Sequence, residues 1–309
     1  MTSPAVHGQS GPRTKVQARR IACFGLTTPN AARLAEFYAA AFDCRCSPSE
    51  RLDGAAFERL MGVAGGAQRQ LLTAGAERIE LLQFDRSGAP YPPDASALER
   101  TFQHFALVVA DIHRALLRLQ GVAGWTPISS SGPQRLPASS GGVTAFKFHD
   151  PDGHPLELLE FPAAHMPDRW RRHAAAQRDI GPEAILGIDH SAISVADTAR
   201  SMAFYRDLGF TSTAHSLNQG KEQSALDGIP HPEVEVTALT ARQPAPHLEL
   251  LCYRSDAPRG SGAAAANDVA ASRLTIEIDL DGHAAPQALL RDPDGHRLHL
   301  VPVGGRHLT

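Results

Sequence analysis

This 309-residue chain lacks several features that would assign a class of function at once. No run of about 18 apolar residues occurs, so nothing reads as a membrane-spanning helix. The net charge is only -3 with histidine neutral, which leaves no basic field to hold nucleic acid or an anionic membrane. The four cysteines, Cys23, Cys44, Cys46 and Cys252, have neither disulfide-scaffold nor zinc-finger spacing. They read as reduced thiols of a cytoplasmic protein, with Cys44 and Cys46 two apart and so on one face of a strand. No glycine-rich phosphate loop follows a strand, and no Gly-x-Ser-x-Gly elbow is present. The segment from Met1 to Arg20 is polar, without the apolar stretch of a secretory signal, and reads as a mobile tail over residues 1–18.

What is present is an internal repeat. At 42% hydrophobic and 20% charged residues, the chain has the composition of a globular protein long enough for two cores. Four short apolar strands share one pattern: Ile79-Glu80-Leu81-Leu82, Leu156-Glu157-Leu158-Leu159, Leu248-Glu249-Leu250-Leu251 and Leu298-His299-Leu300-Val301. Two follow the same turn, Asp150-Pro151-Asp152-Gly153-His154 and Asp292-Pro293-Asp294-Gly295-His296. There Asp-Pro favours turn initiation and glycine supplies a positive φ.

A second set of strands begins at Cys23, His104 and His190, each followed seven residues later by Asn30, Asp111 or Asp197. Asn and Asp are good N-caps, and the helical stripes that follow are amphipathic, as in Ile112, Ala115, Leu116 and Leu119. Each module therefore reads as strand, helix and further strands. A fourth, starting near Arg273, is too short to hold the helix and looks eroded. Modules one and two are expected to form a first domain over 19–163. A linker over 164–184, with Trp170 among Arg169, Arg171 and Arg172, leads to a second domain over 185–304. The fold class is α+β.

Paired strand-helix-strands modules with Asp-Pro-Asp-Gly-His turns resemble the vicinal oxygen chelate superfamily, which contains glyoxalase I, ring-cleaving dioxygenases, fosfomycin-resistance enzymes and bleomycin-binding proteins. The resemblance covers nearly the whole chain. It implies two cups, each formed by two modules, with metal ligands on the first and last strand of each module. Carried over by position, the first cup presents Glu80, His104 and Glu157 beside Cys23, and the second His190, Glu249 and His299 beside Arg273. The first set is similar to a glyoxalase pattern with Cys23 where His or Gln is expected. In the second, Arg273 stands where a ring-cleaving dioxygenase has His.

The residues make their own case. Glu80, Glu157 and Glu249 sit between aliphatics, where an unpartnered carboxylate would cost several kcal/mol, so each needs a metal, an Arg or water. His190, Glu249 and His299 would form a two-His, one-carboxylate set suited to Fe(II), whereas the carboxylate-rich first set suits Mn(II) and the Cys23 thiolate would favour Zn(II). Fe(II) is the favoured cofactor. His247 shares the Glu249 strand face, as a second-shell or acid/base residue or as a rim histidine. Arg273 would anchor a substrate carboxylate or pair with Glu249, and Tyr253 is a further substrate-binding candidate. The expected function is a divalent-metal enzyme acting on a small oxygen-rich or aromatic substrate, dioxygenase-like through the second cup or glyoxalase-like through the first. A metal-free small-ligand binder is the third reading. A homodimer is among the assemblies expected.

Overall fold

The computed structural model describes residues 16–93, 95–176, 185–254, 264–280 and 287–304. The first module comprises β1 (Val16–Thr27), α1 (Ala31–Phe42), β2 (Arg45–Cys46), β3 (Glu50–Leu52), α2 (Ala55–Met61), β4 (Ala67–Ala74) and β5 (Glu77–Phe84). The second has β6 (Gln103–Val109), α3 (Ile112–Gln120), β7 (Thr126–Pro127), β8 (Gln134–Arg135), β9 (Thr144–His149) and β10 (Pro155–Glu160). After α4 (Asp168–Ala176) the third has β11 (Ile185–Ser194), α5 (Thr198–Asp207), β12 (Thr211–Gln219), α6 (Lys221–Asp227), β13 (Glu233–Thr240) and β14 (His247–Tyr253). The fourth keeps β15 (Arg273–Leu280), β16 (Ala288–Arg291) and β17 (Arg297–Pro302), with only residues 281–287 between its first two strands.

The helices start where the caps predict. Asn30, Asp111 and Asp197 each accept a hydrogen bond from a first-turn backbone N–H, donated by Arg33, Arg114 and Arg200 respectively. Within every module the first and last strands run parallel in one repeated register, Gly25 beside Glu80, Ala106 beside Glu157, Ala192 beside Glu249 and Thr275 beside His299. The candidate residue on each first strand (Cys23, His104, His190, Arg273) is thus two positions before the neighbour of its last-strand counterpart, on the same face.

The grouping of modules into cups differs from the expected one. One sheet has the order β16-β17-β15-β1-β5-β4-β2 and the other β12-β13-β14-β11-β6-β10-β9-β7. Module one therefore pairs with module four through antiparallel β1 and β15, and module two with module three through β6 and β11. Sequence adjacency does not decide which edges pair. The segment after β10 carries the chain through α4, whose Trp170 is 1% exposed and packs against β11. That route delivers β11 antiparallel to β6. A Cβ at Gly187 would come within 2.3 Å of Glu77 Oε2 and 2.7 Å of Trp170, so glycine allows this close approach. Arg169 ion-pairs with Glu77, whose other oxygen accepts from Ile188 N–H at 2.9 Å, so the linker's basic cluster faces the protein at that residue.

Modules one and two, and likewise three and four, meet instead across one core between the two sheets, built from residues such as Phe24, Leu81, Phe105, Leu107, Ile193 and Ile276 with the buried faces of α1 and α3. The expected tail is shorter than read: Val16, Gln17 and Ala18 begin β1, and Ala18 is fully buried. Residues 1–15 and 177–184 of the expected tail and linker lie outside the described residues. Cys44 is buried and Cys46 exposed, so they do not share a face; Asp43, in the left-handed region at φ 55°, turns the chain just before them. Among the described residues no helix is long and apolar enough to cross a membrane.

The two Asp-Pro-Asp-Gly-His turns clasp neighbouring modules together. Asp150 accepts from Tyr38 Oη at 3.1 Å, and His154 lies with Nδ1 2.9 Å from Asp150 and Nε2 3.0 Å from the Thr27 carbonyl. Asp152 accepts from Thr28 and Arg33. Asp292, Asp294 and His296 repeat these contacts on Tyr205, Arg200 and the Ser194 carbonyl. Burial opposes charge on His154, but Asp150 and Asp152 outweigh it and hold the imidazole above its ordinary value; both ring nitrogens face acceptors, which suits the doubly protonated form. Burial likewise opposes ionisation of Asp150, and His154 with two backbone N–H groups holds it below the usual carboxylate value.

The raised His154 contributes stability in full below about 6.5 and loses it as pH rises through its folded value; the lowered Asp150 contributes above about 3.8 and loses it as pH falls through its own. Urea unfolding should therefore show stability declining from pH 6 to 9. His154→Gln should lower stability at pH 6 by about 3 kcal/mol and flatten that alkaline slope. Equal slopes in both proteins would show that His154 is neutral when folded.

Candidate metal centre

The register across the β6–β11 seam puts His104 opposite Ala192, with Glu157 and Glu249 on the flanking parallel strands. All four side chains His104, Glu157, His190 and Glu249 converge on a cavity of about 350 Å³. His104 Nε2 is 3.0 Å from Glu157 Oε2, and His190 Nε2 is 3.5 Å from Glu157 Oε2 and 3.6 Å from Glu249 Oε2. Metal–ligand bonds of about 2.0–2.2 Å place neighbouring ligand atoms roughly 3 Å apart, so these separations match the edges of a coordination shell. His104, Glu157 and His190 have ligand atoms all within 4.8 Å of one another. His104, Glu157 and His190 are buried and Glu249 is partly exposed beside them, a donor set of two imidazoles and two carboxylates suited to a divalent cation.

The electrostatics agree. Burial opposes ionisation of Glu157, yet His104, His190 and Lys147 hold its carboxyl well below the usual range. Burial would depress His190, but Glu249, Asp189 and Glu157 raise it well above an ordinary imidazole, so without a cation the ring itself supplies positive charge. His104 is lowered, chiefly by burial, and stays neutral as a ligand must. His190 Nδ1 faces Asp189 Oδ2 at 3.2 Å, and Asp189 in turn accepts from Trp170 Nε1 at 3.2 Å. A carboxylate on the distal nitrogen fixes the orientation of a metal-binding imidazole. His104 Nδ1 has no such partner, and its ring is held edge-on by Phe102 at 5.5 Å.

Of the residues expected at the sites, His104, Glu157, His190, Glu249, His247 and Tyr253 border this one cavity. His247 Nε2 is 3.3 Å from Glu249 Oε1. Tyr253 gives its hydroxyl to Asp227 at 3.0 Å. Glu80, Arg273 and His299 lie in the other sheet, so neither expected three-residue set forms as stated. There the equivalent place is closed. Arg273, 1% exposed, reaches Glu80 at 3.4 Å, Thr27 Oγ1 at 3.0 Å and the Leu26 carbonyl at 3.4 Å. Arg69 approaches the other Glu80 oxygen at 3.7 Å. A Cβ at Gly25 would stand 2.6 Å from Arg273 Cγ, so glycine is required for the arginine to lie across β1. Burial pushes the Cys23 thiol up and keeps it neutral, while His299 bonds Gln287 at 2.9 Å. The remaining space is about 20 Å³, room for a water at most. Two guanidinium groups on one carboxylate repel a further dication.

Three residues escaped the reading of the sequence. Asp189 precedes His190 and simple alternation would turn it away, but a bulge between Ile188 and Ser191 brings both to the cavity. Lys147 was visible as a lone charge in the apolar run Ala145-Phe146-Lys147-Phe148. Asp227, its partner at 2.7 Å, lies at the end of α6 and carried no signal.

Purified protein loaded with Mn(II) or Zn(II) should hold one ion per chain. His190→Ala and Glu157→Ala should each lower affinity by at least about 100-fold, whereas Glu80→Gln and His299→Ala should leave it within about two-fold. Two ions per chain by elemental analysis would contradict the closure of the second place.

The model of the glyoxalase/bleomycin resistance protein/dioxygenase superfamily matches residues 20–158 and 187–300. Glyoxalase I from Zea mays superposes with a TM-score of 0.53 at 15% identity, over 91% of each chain. A Bacillus subtilis protein provisionally named a dioxygenase gives the same TM-score at 10% identity, over 93% of this chain and 86% of its own. No curated protein matches the sequence. At such identities the structures speak for the fold, and the matched segments cover both halves of the repeat. The chain belongs to the glyoxalase/bleomycin resistance protein/dioxygenase superfamily.

Proposed function

We propose that the protein is a divalent-metal-dependent enzyme that moves a proton on a small oxygen-bearing molecule, a lyase or isomerase of glyoxalase type. The observation that carries this reading is the position of Glu249. It stands beside the His104, Glu157 and His190 group, 3.6 Å from His190 Nε2, with its side chain 23% exposed against 7% for Glu157. Burial opposes its ionisation, but His190 and His247 hold it below the usual value, so it is a carboxylate at neutral pH. A bound divalent cation would act there as a Lewis acid on a carbonyl or hydroxyl oxygen. Glu249 faces the cavity as a base able to take a proton from the adjacent carbon or oxygen, and His247 at 3.3 Å is placed to share that proton. Leu136, Val143, Leu159, Val236 and Leu251 give the cavity an apolar wall against which the rest of such a molecule can pack.

A second reading rests on the same group of three. His104, Glu157 and His190 alone are a two-His, one-carboxylate set, and if Glu249 does not ligate, Fe(II) there would keep positions for substrate and O₂. This is the dioxygenase-like chemistry expected from the sequence, on different residues.

Solvent deuterium exchange into a panel of α-hydroxycarbonyl compounds, beside oxygen uptake with catechols, separates the two. Proton transfer predicts exchange with the metal-loaded protein and a fall in kcat of about 100- to 10,000-fold in Glu249→Gln, with the metal still bound. Oxygen uptake by the Fe(II) form without deuterium exchange would decide for the oxygenase.

A further inference from the structure

Lys147 lies in the middle of β9, directly opposite Glu157 of β10 and therefore on the cavity face of the sheet. Its side chain is 6% exposed and borders the cavity with Glu157 and Glu249. Nζ donates to Asp227 Oδ1 at 2.7 Å. The other Asp227 oxygen is used by Gln223 Nε2 at 2.8 Å and Tyr253 Oη at 3.0 Å, so this carboxylate is braced from three directions. An ammonium carries three donors, and Asp227 takes one. Burial works against the charge, yet Asp227 and Glu157 more than offset it and keep Lys147 protonated. A permanent cation with donors to spare thus faces the same space as the candidate metal ligands.

The charge inventory limits what can arrive. Among the described residues lining the cavity Lys147 is the one lysine, and no arginine is present. Glu157, Asp189 and Glu249 line it and Asp227 stands behind Lys147. A dication and Lys147 do not exceed these carboxylates, so a ligand carboxylate would find no unmatched positive charge.

Resting on the metal-centre reading above, we infer that Lys147 is a ligand-binding residue. It donates to a second oxygen of a compact, uncharged molecule whose first oxygen meets the metal. Asp227 is the positioning residue that aims it.

The test titrates phenacyl alcohol, an uncharged hydroxyketone with adjacent oxygens, and its 4-carboxy analogue into Zn(II)-loaded protein. Removing Lys147 alone would strand Asp227, so the variant is the double Lys147→Met/Asp227→Asn, in which the amide keeps partners in Gln223 and Tyr253. The double variant should retain its metal and bind phenacyl alcohol roughly ten-fold or more weakly, the loss of one charge-assisted hydrogen bond. In the unsubstituted protein the carboxylated analogue should bind about ten-fold more weakly than the parent. Unchanged phenacyl alcohol affinity in the variant overturns the lysine assignment. Loss of metal from the variant also overturns it, since Lys147 would then belong to the metal centre. Equal affinity for the two hydroxyketones overturns the uncharged ligand class. Absence of metal uptake by the unsubstituted protein overturns the metal reading and this inference with it.

Discussion

The antiparallel seam between β6 and β11 is the contact on which the rest of the site depends. Each module brings one first-strand and one last-strand residue to its face, and half a ligand shell is all that one module can offer. Joining β6 to β11 brings His190 Nε2 to 3.5 Å from Glu157 Oε2 and so unites the His104–Glu157 pair of one module with the His190–Glu249 pair of the other. The bulge beside His190 then adds Asp189 to the same face, with Trp170 of the linker helix holding it. Backbone pairing, rather than any loop, fixes the geometry, and strands hold side chains with less freedom than loops do.

Both sheets face the same physical problem, carboxylates buried where an unmatched charge is costly. They answer it differently. In one, Glu80 is neutralised by Arg273 and approached by Arg69, and the space shrinks to about 20 Å³. In the other, the carboxylates face imidazoles and an open cavity of about 350 Å³. Arginine satisfies the charge within the fold and fills the volume; histidine leaves the volume open.

Much of the architecture was legible because it repeats. The caps at Asn30, Asp111 and Asp197, the Leu-Glu-Leu strands and the shortness of the fourth module all follow from local pattern. So did the positions that line each face, since the same offset separates Cys23 from Glu80 and His104 from Glu157 in the strand register. What local pattern does not encode is which open edge meets which. Modules one and two, and likewise three and four, share a core and a clasp but not a sheet, and this exchanged the members of the two expected sets. Asp189 was hidden by a bulge that breaks alternation, and Asp227 by its distance in sequence from its partner Lys147. Arg273 was recognised as an intruder, but its partner is Glu80 rather than Glu249.

The crossed pairing has a consequence for symmetry. A half-chain of two modules would carry two unpaired first-strand edges and half of each cup. Two identical halves closing about a dyad would satisfy those edges and produce two equal cups, neither able to change without the other. A single continuous chain removes that coupling. Each cup draws on two modules that the other does not use, so one became an ion-paired plug while its sibling kept the imidazoles. Covalent fusion here works as a licence for asymmetry: one face of the molecule is free to specialise in holding the fold together, the other in meeting a ligand.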